Sequence, residues 1–149
     1  MIGSLNSTNY LKPVGYLNKI KIFFKKHHSA DIKTQYEIYR VRAFDLHIDF
    51  KSSGKAIYKY DGIQFETFSI YDTLNFLEKK GDTFVRIALE DDKMSKEKEK
   101  KFYDYCKIIE KLYSNIVFFG GYRTCDIKQI YKFNNYFNSK YIKWISRLK

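Results

Sequence analysis

The sequence predicts an α/β fold with a mostly parallel sheet. Stretches that alternate with period two recur between stretches with the 3.6-residue period of amphipathic helices, and their lengths suit βαβ units. Composition agrees: 44% hydrophobic residues, 19% aromatics, one Pro and 7 Gly describe a packed chain with short connections, which excludes the disordered class. A length of 149 residues suits one domain. Residues 1–14 read as a loose lead-in ending near Lys12-Pro13, and residues 15–149 as the domain.

The elements follow in order. Tyr16, Leu17, Ile20, Phe23 and Phe24 share one face of a basic helix over 16–26, whose other positions are rich in Lys. His27-His28-Ser29 follows it, and a short helical turn over 34–39 leads into the stretch Val41-Arg42-Ala43-Phe44-Asp45-Leu46-His47-Ile48-Asp49. As a strand, this stretch puts Phe44, Leu46 and Ile48 on one face and Asp45, His47 and Asp49 on the other. Lys55–Tyr60 forms a second strand, Asp61-Gly62 a turn, and Ile63–Phe68 continues extended. Ser69 and Asp72 cap a helix striped by Ile70, Leu74 and Leu77 and closed by Gly81. Thr83–Glu90 is a strand with Val85, Ile87 and Leu89 on one face and Arg86 and Glu90 on the other. Residues 91–101 are a charge-dense loop and first helical turns, and Phe102, Tyr105, Cys106, Ile109, Leu112 and Tyr113 mark a long helix. Ile116–Phe119 reads as a short buried strand stopped by Gly120-Gly121, residues 126–133 as a short helix, and residues 141–149 as extended or weakly helical. There is no internal repeat, no GxGxxG and no phosphate-binding GxxxxGK[ST].

The net charge of +11 favours anionic partners: nucleic acid, anionic lipid or a polyanionic polymer. The excess is mostly Lys spread along the chain, which suits a generally basic surface rather than one patch. Cys106 and Cys125 belong to no CxxC and read as reduced thiols, not a zinc site or disulfide framework. The first ten residues carry no apolar h-region and no run approaches 18 apolar residues, so the expected location is the cytoplasm, with peripheral membrane contact through the basic helix.

In parallel α/β sheets functional groups gather at the carboxyl ends of strands. Asp45, His47, Asp49, Arg86 and Glu90 all come from strand faces able to share one interior, with His27 or His28 just before the first of them. These types suit phosphodiester chemistry: histidine moves protons near neutral pH, arginine neutralises phosphoryl oxygens, and a carboxylate orients a histidine or binds a metal.

On these residues, positions 15 to about 123 resemble the N-terminal half of bacterial phosphatidylinositol-specific phospholipase C-like phosphodiesterases. Lys26-His27-His28-Ser29 is similar to the family's Thr-His-Asp-Ser context. Arg42-Ala43-Phe44-Asp45-Leu46-His47 resembles its Gly-x-Arg-x-Phe-Asp-x-Arg pattern, with His47 where the family usually has arginine. The family's His-Gly dipeptide falls near Tyr60-Asp61-Gly62, and Val85-Arg86-Ile87-Ala88-Leu89-Glu90 is similar to a later aliphatic-Arg-aliphatic-x-x-Glu strand. The resemblance implies a partial, truncated TIM-barrel-like βα repeat, since a full barrel takes about 250 residues. It implies a phospholipase C-type hydrolase acting on a phosphodiester of a lipid or glycan, with His27 or His28 as base and Asp45 as its orienting partner. His47, Arg86 and Arg42 would contact phosphate, Tyr60 would replace the family's second histidine, and Asp45 with Glu90 would be the candidates for a divalent cation such as Ca²⁺. An unperturbed tyrosine titrates near ~10 and is a weak proton shuttle at neutral pH, so reduced activity is expected. The alternative is a catalytically inactive descendant that binds an anionic lipid or polymer. A nucleic-acid-binding module ranks third, because the aromatics follow core periodicities. A half-barrel also exposes an apolar edge, which predicts pairing between copies.

Overall fold

The computed structural model describes residues 1–8, 10–15, 29–65, 70–90, 95–135 and 137–148. The basic helix expected over 16–26, His27, His28, the Ser69 cap and residues 91–94 lie outside the described residues.

The architecture is mixed α/β, built on a seven-stranded sheet that does not close into a barrel. The strands are β1 (Ile2–Ser4), β2 (Ala43–Phe50), β3 (Ala56–Tyr60), β4 (Ile63–Gln64), β5 (Thr83–Leu89), β6 (Ile116–Arg123) and β7 (Lys143–Ile145). The helices among the described residues are α1 (Ile32–Glu37), α2 (Ile70–Lys80) and α3 (Lys96–Leu112), and a 3₁₀ turn spans Ser139–Tyr141. β7, β1, β2, β5 and β6 lie side by side and parallel. β3 pairs antiparallel with the second half of β2, along the edge whose first half holds β1, and β4 pairs antiparallel with β3.

β2 is the central strand. Phe44, Leu46 and Ile48 are fully buried and Phe50 nearly so. With Val85, Ile87, Leu89 and Phe118 they share one core with Leu74 and Leu77 of α2 and Phe102, Cys106 and Ile109 of α3. The Phe50 ring lies edge-on to Tyr105 of α3, 5.8 Å between centroids. The period-two rule therefore assigns the even-numbered face of β2 to the helices and leaves Asp45 and His47 on the opposite, inner face. α3 starts at Ser95, whose side chain accepts from the Lys98 N–H, with Glu97 and Glu99 in its first turn against the helix dipole. α1 starts the same way at Asp31, which accepts from the Thr34 N–H.

Three expectations are corrected. Residues 1–14 are not a loose lead-in: Ile2–Ser4 is an inner strand between β2 and β7. A three-residue strand has no periodicity to read, and its fit is tertiary. A side chain at Gly3 would strike Trp144 and Ile142. Second, Gly120-Gly121 do not stop β6. They sit at φ +92° and +75° and form a bulge opposite Ile87 and Ala88, after which the strand resumes to Arg123. Third, residues 126–133 are not helical; they return along β6, with the Ile130 and Tyr131 N–H groups donating to the Gly121 carbonyl. Part of the inner face along β5 and β6 is covered by the same chain. Phe137 packs on Phe84 and Phe119, at 4.5 and 5.2 Å, and Trp144 of β7 lies over Arg86. Among the described residues no helix is long and apolar enough to cross a membrane.

Candidate functional site

Four side chains form a line along the inner face of β2 and β5, ending at Glu90 just past the carboxyl end of β5. The β2–β5 register sets Asp45 beside Arg86 and His47 beside Ala88, and Glu90 follows β5 directly. Arg86 donates from Nε to Asp45 Oδ1 at 2.7 Å. The other Asp45 oxygen, Oδ2, lies 3.0 Å from His47 Nε2, and His47 Nδ1 lies 2.7 Å from Glu90 Oε1. Glu90 Oε2 accepts the Asp61 N–H at 3.2 Å. Charge alternates along the line: guanidinium, carboxylate, imidazole, carboxylate.

The ring's protonation follows from this geometry. A neutral imidazole has one N–H and one lone pair, so one of two carboxylates would face a lone pair. A doubly protonated ring satisfies both. Burial alone would discourage that charge, but the Asp45 and Glu90 carboxylates outweigh it and push His47 up to about 9. Asp45 is 1% exposed. Burial alone would raise its pKa, yet His47 and Arg86 hold it well below the usual carboxylate range. Burial likewise works against the Arg86 charge, and Asp45 reverses this, raising its pKa.

The pH dependence has a definite sign. The folded-state pKa of His47 lies above its unfolded value, so its contribution is complete below pH ~6.5 and is lost as pH rises through about 9. Asp45 is shifted down, so its contribution is present above pH ~3.9 and is lost as pH falls further. Urea unfolding at pH 6 and pH 9 is expected to show a stability loss on the order of 3 kcal/mol between the two. The loss should shrink to a minor fraction in His47→Gln; an equal loss in that variant would remove His47 from the account.

The N-terminal segment holds the site from β1's side. Asn6 donates its N–H to Asp45 Oδ2 at 3.0 Å, from a left-handed backbone (φ 49°) that Asn tolerates. Ser7 Oγ accepts the Asp45 N–H at 2.8 Å, and the Ser7 N–H donates to the Asp45 carbonyl. On the far side the Arg86 guanidinium stacks over Trp144, 4.5 Å from the ring centroid, and hydrogen-bonds the Tyr122 hydroxyl. Asn6, Ser7, Tyr122 and Trp144 carried no signal in the sequence: each comes from outside the two strands that hold the charges.

Of the residues singled out from the sequence, Asp45, His47, Arg86, Glu90 and Tyr60 come together. The Tyr60 ring stands edge-on to His47 at 5.3 Å. Arg42 does not join them. It precedes β2, binds Asp82 at 2.9 Å and stacks on Tyr36, about 16 Å along the strand from His47. Asp49 is held by Lys59 and Lys98, at 3.0 and 2.9 Å, as a separate ion cluster. Asp45 and Glu90 stand on opposite nitrogens of His47, so the ring separates the two carboxylates suggested for a cation. Among the described residues no group of three or more His, Cys, Asp or Glu is arranged to hold a metal ion. Asp45 orients Arg86 and His47 among the described residues; His27 and His28, which it was expected to orient, lie outside them.

No family model, curated protein or solved structure matches the chain.

Proposed function

We propose that the chain is a phosphodiester-binding protein of phospholipase C-like type that cleaves its ligand slowly, with Arg86 as the phosphoryl anchor. The observation that carries this reading is the fixed line Arg86–Asp45–His47–Glu90, which runs along the inner face of two adjacent parallel strands from Asp45 and Arg86 within the ladder to Glu90 just past the end of β5. Asp45 takes only Nε of Arg86 by a direct ion pair, and Trp144 fixes the guanidinium plane. A planar guanidinium oriented in this way matches two oxygens of a phosphodiester. His47 is a second cation beside it. Its two N–H groups are spent on carboxylates, so at neutral pH it acts as an oriented charge rather than a proton shuttle. Hydrolysis then needs a base from elsewhere, and the family resemblance implies His27 or His28. In that step water or a neighbouring hydroxyl attacks phosphorus, the base takes the attacking proton, and the leaving alkoxide is protonated from solvent.

The inactive alternative draws support from the same ring: with both nitrogens occupied and Tyr60 in place of a second histidine, the described residues supply no acid–base pair. Hydrolysis of bis(p-nitrophenyl) phosphate at pH 7 separates the two. Turnover is expected to fall at least about tenfold in Arg86→Gln and in a His27→Ala/His28→Ala double variant. Turnover unchanged in both would refute the assignment. No turnover, with binding of dimethyl phosphate that Arg86→Gln abolishes, would establish the inactive binder.

A further inference from the structure

A cavity of about 340 Å³ opens at the edge of β6, between Phe119-Gly120 and the returning residues 129–135 and 137. Its walls are the rings of Phe119, Phe133 and Phe137, and its rim carries Lys132, Asn134 and Asn135. Phe119 ties it to the phosphoryl anchor: it is the β6 register partner of Arg86, and its ring lies 5.2 Å from Phe137 and 6.4 Å from Trp144, which covers the Arg86 guanidinium. Gln129 braces the wall by donating its side-chain amide to the Gly120 carbonyl at 2.8 Å.

We propose that this cavity binds the base of a nucleoside phosphodiester whose phosphate sits on Arg86. The proposal rests on the reading of Arg86 given above. Of the wall aromatics Phe133 is buried against Phe118 and closes the cavity floor, while the half-buried Phe119 and Phe137 are the rings that accept a base by stacking, whatever its identity. The side-chain amides on the rim present donors and acceptors in the pairing that base edges use, and Lys132 adds to the attraction for the anion. Phe133 belongs to the core, stacked on Phe118, but Phe119 and Phe137 line the cavity beside the site and lie outside that core, so the periodicity that ranked nucleic-acid ligands last does not apply to these two. The resemblance implied a lipid or glycan as the second group of the diester; the cavity selects a base in its place.

The test is calorimetric titration of the full chain with four probes: adenylyl-(3′,5′)-adenosine, dimethyl phosphate, glycerophosphoinositol and adenosine. The dinucleoside diester is expected to bind at least about tenfold more tightly than dimethyl phosphate. Phe137→Ala should erase that advantage and leave dimethyl phosphate binding unchanged; Asn135→Ala, on the exposed rim, should reduce it without threatening the fold. Equal binding of the two diesters, or an advantage belonging to glycerophosphoinositol, would overturn the base subsite while leaving the Arg86 reading intact. Binding of adenosine alone, sensitive to Phe137→Ala, without binding of any diester would keep the subsite and overturn the Arg86 reading. Absence of all binding would overturn both.

Discussion

Asp45→Asn is expected to destabilise the fold by about 3–5 kcal/mol, more than any other change at the site. The carboxylate is 1% exposed and stands between two cations, Arg86 at 2.7 Å and His47 at 3.0 Å. An amide of the same shape fills the space but leaves Arg86 without its counter-charge and His47 with Glu90 alone. It also presents an NH₂ group to one N–H donor. Breaking one member of a buried ion network costs far more than the net worth of the network, because the remaining charges stay desolvated. The imidazole will shed its proton to reduce this cost, so the variant's His47 will titrate well below that of the parent. Urea unfolding measures the first effect and the histidine ring NMR signals the second. A loss under about 1 kcal/mol with an unchanged His47 titration would mean that solvent reaches Asp45 and that the line is a surface arrangement.

Gly120→Ala is the second large effect, on the order of 3 kcal/mol. Its backbone sits at φ +92°, and a Cβ there would fall 2.6 Å from the Ile87 carbonyl. Two costs add: the left-handed conformation, and a contact that no real Cβ makes with backbone. Gly54→Ala separates them, since Gly54 has a similar φ of +81° with open space around it and is expected to cost about 1 kcal/mol. The comparison also reaches the site. The bulge at Gly120-Gly121 carries β6 on to Tyr122, which bonds Arg86, so Gly120→Ala should weaken anion binding where Gly54→Ala does not. Equal, small losses in the two variants would remove the bulge as a fixed feature.

These two positions show which parts of the molecule were written locally. The central strand was legible because Phe44, Leu46 and Ile48 alternate with Asp45 and His47, and a buried strand with charges on one face leaves few other readings. The same period identified Arg86 and Glu90, and the parallel β2–β5 register then set them beside Asp45 and His47. α3 was legible from Phe102, Tyr105, Cys106 and Ile109 at helical spacing. β1 and β7 were not, because three residues hold no period and their pairing depends on Gly3 admitting Trp144. The bulge was misread because paired glycines more often mark a turn than a strand that continues past them. Arg42 was misplaced because the resemblance aligned it by sequence, whereas the strand direction sends it to Asp82, at the end remote from the site. Trp144 is nearly sixty positions from Arg86, and local pattern carries nothing across that span.

Arg86 as the phosphoryl anchor is tested by an arginine side-chain ¹⁵N spectrum followed during titration with dimethyl phosphate at pH 7. The Arg86 Nε–H signal, already shifted by Asp45 and Trp144, is expected to move saturably, the His47 ring to stay doubly protonated throughout, and Trp144→Ala to weaken binding without abolishing it. Small, unsaturable shifts shared by many surface lysines and arginines, with Arg86 unmoved, would show that the +11 charge attracts the anion without a site and would contradict the assignment of Arg86 as its anchor.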